Sequence, residues 1–177
     1  MKRDVNGTWI AEVPGNLNGT YYTFGATVRR KKVEACDPYA RTTGVNGQRA
    51  MVIDLDSTDP EGWENDVDPH YGNSIVDAVI YELHVRDLSI DESSGITNKG
   101  KFLGIIESGT TNADGFPTGL DYMKALGITH LHLLPSYDYA SVDETNPDAA
   151  FNWGYDPVNY SVPEGSYSTD PYHGEVR

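Results

Sequence analysis

From Thr20 to Arg29 the chain alternates in the manner of a strand, with Tyr22, Phe24, Ala26 and Val28 on one face. Thr8–Val13 alternates in the same way. The polar run from Asn16 to Gly19 between the two reads as a turn, so the pattern predicts a hairpin. Met51-Val52-Ile53-Asp54-Leu55 predicts a further short strand. A loop then follows, punctuated by Pro60, Gly62, Pro69 and Gly72 and rich in acidic residues. Near Gly72 the pattern changes, which divides the chain into segments 1–72 and 73–177. Val76–Val85 is almost continuously apolar, as expected of a strand buried on both faces. Thr118-Gly119-Leu120-Asp121 has the form of a capping box, with Leu120, Met123 and Leu126 at helical spacing and Gly127 as the stop. Ile128–Leu134 predicts a second strand. Strand, connection, helix, glycine and strand form a βα unit leading into a parallel neighbour. From Pro135 onward the chain becomes a long excursion rich in Gly, Pro and Tyr.

That excursion contains Phe151-Asn152-Trp153-Gly154-Tyr155-Asp156-Pro157, an unusual density of rings, amides, carboxylates and bend-forming residues. A packed core favours aliphatic side chains without stray polar groups. A polyhydroxylated ligand suits the mixture better. Sugar rings offer apolar C–H faces to aromatics and hydroxyl rims to donors and acceptors. By composition alone, a surface loop with its rings packed beneath it fits equally well.

The heptad resembles the signature of type I pullulanases, the debranching members of the α-amylase superfamily. Ile80-Tyr81-Glu82-Leu83-His84-Val85-Arg86-Asp87 resembles their first barrel strand. Gly119-Leu120 through Leu126-Gly127-Ile128-Thr129-His130-Leu131, closed by Leu133-Leu134-Pro135, resembles their first helix and second strand. Upstream, Gly19-Thr20-Tyr21-Tyr22, Asp37-Pro38-Tyr39-Ala40 with Val45-Asn46-Gly47, and Pro60-Glu61-Gly62-Trp63 resemble the sandwich and linker that precede the barrel. The resemblance implies a partial two-domain chain. Residues 1–72 would be the end of a β-sandwich, and residues 73–177 the first two βα units of a (β/α)8 TIM-type barrel. It also implies an internal piece of such an enzyme, with the nucleophilic aspartate, the acid/base glutamate and the stabilising aspartate all on later strands beyond Arg177.

In a β/α barrel the loops after the C-terminal strand ends form the active face, so the Trp-Gly-Tyr-Asp motif falls where ligands bind. By resemblance, Tyr155 stacks on the sugar next to the scissile bond, and Gly154 lets backbone and ligand approach closely. Asn152 and Asp156 fit either hydrogen bonding to sugar hydroxyls or bracing of the loop, since Pro157 biases Asp156 towards extended or turn geometry. Trp153 fits a stacking platform or a buried anchor. His84 and Arg86 share a face at the end of the first strand; they can face the cleft or pair with Asp87 or Glu82. His173 stands where the resemblance leads one to expect an acid.

Retaining glycosidases need two carboxylates ~5 Å apart. The loops supply Asp138, Asp143, Glu144, Asp148, Asp156, Glu164 and Asp170. The adjacent pair Asp143 and Glu144 would point to opposite faces of a strand, which is a poor geometry. No catalytic acid is assigned within the chain. His130 and His132 alternate at a metal-compatible spacing but lack an evident third ligand, so hydrogen-bonded strand histidines are the expectation. No organic cofactor is expected; loop oxygens could hold a Ca²⁺ ion, although no acidic loop has a diagnostic spacing for one.

The net charge is −14, from 13 basic and 27 acidic residues. Nucleic acid and anionic membranes are therefore poor partners, because both require clustered cations. Arg29-Arg30-Lys31-Lys32 reads as a solvated turn. Cys36 is the only cysteine, which rules out an intrachain disulfide. No apolar run approaches a membrane span, and Met1-Lys2-Arg3-Asp4 lacks a signal-peptide core. Location therefore stays open. The expected partner is an α-glucan such as pullulan, branched dextrin, glycogen or starch. Two functions follow: part of a retaining debranching hydrolase, or a non-catalytic glucan-binding or interaction protein.

Overall fold

A computed structural model of the chain describes all residues except 70, 71 and 73, two of which adjoin the boundary expected at Gly72. The described residues form five two-stranded sheets and three short α-helices joined by turns. Strand β1 (Lys2–Arg3) pairs antiparallel with β2 (Trp9–Ile10), and β3 (Tyr21–Tyr22) with the later β6 (Ala50–Met51). Between these, β4 (Phe24–Val28) and β5 (Lys31–Ala35) form a tight hairpin in continuous register from Phe24↔Ala35 to Val28↔Lys31.

The hairpin expected between Thr8–Val13 and Thr20–Arg29 is not formed. The actual turn is Arg29-Arg30, with φ of 50° and 66°. Both central residues at positive φ match the twist of a two-residue hairpin, a conformation usually supplied by Asn or Gly. The basic cluster is thus the exposed turn and strand start it was expected to be. The strand expected over 51–55 is confined to Ala50–Met51, because Leu55–Thr58 coils into a 3-10 turn.

The central parallel pair is β7 (Ile80–Leu83) with β8 (His130–Leu133), in the register Ile80↔His130 to Leu83↔Leu133. The crossover between them carries α1 (Val85–Ser89), α2 (Phe102–Ile106) and α3 (Gly119–Ala125). The predicted βα unit is present, with Gly127 at φ 71° just past the end of α3. The capping box is not. Thr118 Oγ1 donates instead to the carbonyl of Ser94 and lies 2.9 Å from Thr110 Oγ1, and Asp121 accepts from the Gly109 N–H. The strand expected over Val76–Val85 is confined to Ile80–Leu83. Ile75–Asp77 is a 3-10 turn, Val85 opens α1, and Ile80 is 65% exposed. A two-stranded sheet has too few neighbours to cover both of its faces.

The excursion after Pro135 gains structure from β9 (Tyr137–Tyr139) and β10 (Pro157–Pro163), an antiparallel pair with two register shifts. Its 17-residue connection, Ala140 to Asp156, carries the aromatic heptad. Two small cores hold the molecule together. Val85, Tyr139, Val142 and Tyr167 form one, flanked by Phe102 and Ile105. Ala40, Ala50 and Val162 form the other, flanked by Tyr22 and Cys36. Tyr167 is the hub of the first, meeting His84, Phe102 and Tyr139 edge-on at 5.8, 5.5 and 6.0 Å. Edge-to-face contact at these separations suits the ring quadrupoles.

Candidate functional site

The heptad loop is fastened from below and braced from within. His84 follows β7 and caps α1, and its side chain is buried beneath the loop. Nδ1 accepts the Asp87 N–H at 3.4 Å, and Nε2–H donates to the carbonyl of Asn152 at 2.9 Å. These two fixed partners set the tautomer. The Tyr167 hydroxyl lies 3.0 Å from the same Nε2, and the Phe151 ring packs on the imidazole at 5.1 Å. His84 therefore ties the loop to the C-terminal end of β7. Arg86 turns the other way, with Nη2 3.3 Å from Asp148.

Inside the loop, Asn152 Oδ1 accepts the Gly154 N–H at 2.7 Å, and Asn152 Nδ2 donates to Asp156 Oδ1 at 2.7 Å. Asp156 also accepts from the Ser141 hydroxyl. These hydrogen bonds hold its carboxyl below the usual range. Asn152 and Asp156 therefore brace the loop, and the second N–H of the amide and the free lone pairs of the carboxylate keep capacity for sugar hydroxyls.

Gly154 has φ 87°, and a Cβ on it would run into the carbonyl oxygen of Pro135. Only glycine can hold this close approach at the left-handed conformation. Gly154→Ala is expected to cost at least about 1–2 kcal/mol from the backbone conformation alone. Lower thermal stability together with altered Trp153 fluorescence would show it; an unchanged melting profile would refute it.

The bracing leaves two rings outside. Trp153 is 64% exposed and Tyr155 66%. With Phe151, His84, Leu83 and Leu134 they line an open cleft of about 550 Å³ at the C-terminal ends of β7 and β8. Trp153 is thus no buried anchor. Glu82 and Asp87 border the same cleft.

The loop acids diverge. Asp143 is exposed and accepts from Asn46 Nδ2 at 3.1 Å and from Thr145, which keeps its carboxyl low. Its neighbour Glu144 points inward, as expected for adjacent residues. Asp138, Glu144 and Glu164 form a fully buried acidic cluster around the Arg177 guanidinium. Arg177 reaches Asp138 at 3.2 Å, Glu144 at 2.5 Å and the Gly44 carbonyl at 3.0 Å. Burial pushes the Glu144 and Glu164 carboxyls up. Nothing in local sequence marks this cluster, because its members are brought together only by the β9–β10 pairing.

His130 and His132 are both exposed on β8, and the Thr129 hydroxyl lies 2.7 Å from His130 Nδ1. Among the described residues neither belongs to a cluster of metal-ligating side chains. His173 is exposed and lies 2.6 Å from Asp170, whose carboxylate raises the pKa of the imidazole. No helix among the described residues is long and apolar enough to cross a membrane.

No protein-family model matches the chain. It is 42% identical over its whole length to a pullulanase from Bacillus subtilis, of which it covers 24%. It is 34% identical over 96% of its length to pullulanase 1, chloroplastic, from Arabidopsis thaliana, covering 21% of that protein. Among solved structures, a pullulanase from Paenibacillus barengoltzii, in complex with maltohexaose and α-cyclodextrin, superposes with a TM-score of 0.96 at 57% identity. That match covers all of this chain and 28% of the other. The chain is thus related to pullulanases from end to end and spans about a quarter of their length.

Proposed function

We propose that this pullulanase-related chain supplies substrate-side elements of a retaining hydrolase that cuts α-1,6 links in pullulan and branched α-glucans. In this reading residues 1–72 close a β-sandwich and residues 73–177 open a (β/α)8 barrel. The observation that carries the proposal is the pair of exposed rings on a rigidly braced loop. Trp153 and Tyr155 stand over an open cleft at the C-terminal ends of two parallel strands, the end where barrel enzymes bind substrate.

Tyr155 is the stacking platform, and Trp153 extends it along the glucan. His84, Asn152 and Asp156 act as positioning residues. They fix the loop, so that little rotational freedom is lost when sugar binds. The chemistry needs a nucleophilic carboxylate that forms a covalent glycosyl-enzyme, and a carboxylic acid that protonates the leaving oxygen. Water then completes hydrolysis. In this reading those acids lie outside the chain. The loop carboxylates are already engaged: Asp143 with Asn46 and Thr145, Asp156 with Ser141 and Asn152, and Asp138 and Glu144 with Arg177.

Tyr155→Ala in the complete protein tests the assignment. The ring is mostly outside the fold, so the substitution should leave the melting temperature unchanged. Losing the stacking, about 1–2 kcal/mol, should lower kcat/KM on pullulan roughly 5–30-fold. Tyr155→Phe should keep most of the activity. Unchanged kinetics for the alanine variant on both pullulan and branched dextrin would remove Tyr155 from the substrate site.

A further inference from the structure

A second cavity lies on the opposite side of the heptad loop. It has a volume of about 280 Å³, close to the lower end of the ~300–1,000 Å³ usual for small-molecule sites. Its walls come from the loop itself, through Pro147, Ala150 and Asn152, and from the Tyr139–Tyr167 core. In a chain of net charge −14, its lining contains three cations: Arg86, Lys99 and Lys101.

Lys99 is committed, since its ammonium donates to the carbonyl of Asp91 at 2.8 Å and to Ser94 Oγ at 3.1 Å. Lys101 is different. Its Nζ donates to the Ser166 carbonyl at 2.8 Å, and among the described residues no carboxylate lies within 4.0 Å of it. Burial lowers its pKa, although the more distant carboxylates of Asp148 and Glu164 oppose that shift. Arg86 has five N–H donors. Among the described residues it pairs with Asp148 at 3.3 Å and Asp87 at 3.9 Å, both carboxylates being more than half exposed. The lining also holds the carboxylates of Asp148 and Glu92, so its three cations exceed its anions by one.

We propose that this cavity binds a phosphate-sized oxyanion, free or carried on a sugar, held by Lys101 and Arg86. A tetrahedral oxyanion presents several acceptors around one centre, which the unused donors of an ammonium and a guanidinium can share. The neighbouring Asn152 carries the loop brace and rests on His84. A ligand in this cavity therefore sits directly behind the rings that face the cleft. Occupancy should register at Trp153.

The test is a titration of the complete protein with inorganic phosphate, against chloride at matched ionic strength. It is followed by calorimetry and by the part of the tryptophan emission change that a Trp153→Phe variant abolishes. The expected result is a saturable, phosphate-specific signal weakened at least tenfold by Lys101→Met or Arg86→Met. Lys101→Arg, which keeps the charge, should bind within a few-fold of the native protein, even if Lys101→Met fails to fold. Glucose 6-phosphate in a parallel arm distinguishes the sources. Tighter binding than phosphate identifies a sugar phosphate, and equal binding identifies the bare oxyanion. No saturable signal with either ligand, or equal affinity in a folded Lys101→Met variant, would overturn the proposal.

Discussion

Arg177→Met is expected to destabilise the protein by about 3–5 kcal/mol, the usual loss when one partner of a buried ion pair is removed. The side chains of Arg177, Asp138 and Glu144 are all at most 2% exposed. Without the guanidinium, the buried Asp138, Glu144 and Glu164 would have no cation between them. The effect should depend on pH in a definite direction. Burial already raises the Glu144 carboxyl, while Arg177 opposes that rise. Removing Arg177 should raise it further. A carboxyl with a raised folded-state pKa contributes stability at low pH and loses it as pH climbs through the folded value. The variant should therefore be closest to the native protein under acidic conditions and furthest from it at mildly alkaline pH. Adding Glu144→Gln, which removes one buried charge, should recover part of the loss. Urea unfolding across pH reads all of this. A cost below about 1 kcal/mol that does not vary with pH would mean that the cluster is not buried as described.

The same cluster fastens the chain together. Arg177 holds Gly44, and Glu144 accepts the Asn46 N–H at 2.5 Å while its own N–H donates to Asn46 Oδ1 at 2.9 Å. The tightness explains two glycines. A side chain at Gly47 would collide with Asp138 and Asn159, and one at Gly165 with Glu144. Stability in segment 40–51 thus depends on residues more than ninety positions away.

That dependence shows where sequence reading stops. The parallel pair and α3 were legible because their apolar spacing and the Gly127 stop are local signals. The hairpin was misplaced because Asn16–Gly19 has a turn-like composition, whereas the real turn is built on two arginines at positive φ. The apolar run Val76–Val85 is longer than the strand it marks, Ile80–Leu83, because such a run reports what a strand can bury and not where its pairing ends. Within the heptad, residue types leave a sugar-binding loop and a packed surface loop equally open, and the bracing by Asn152 and Asp156 is visible only in the structure. The tautomer and anchoring of His84 were not legible, since its partners Asn152 and Tyr167 are 68 and 83 residues away. The acidic cluster escaped for the same reason. As a list of loop carboxylates, Glu144 and Glu164 look no different from the exposed Asp143.

The second large effect concerns catalysis. The chain should bind α-glucan weakly through Tyr155 and Trp153 and, on the function proposed above, should not cleave it. Reducing-sugar release from pullulan, compared between the purified chain and the complete protein, is the most direct measurement. The account predicts turnover by the complete protein, lowered by Tyr155→Ala, and none by the chain alone. Release by the chain alone, abolished by substituting an acid within it such as Glu82 or Asp87, would contradict the account and put the chemistry in this cleft.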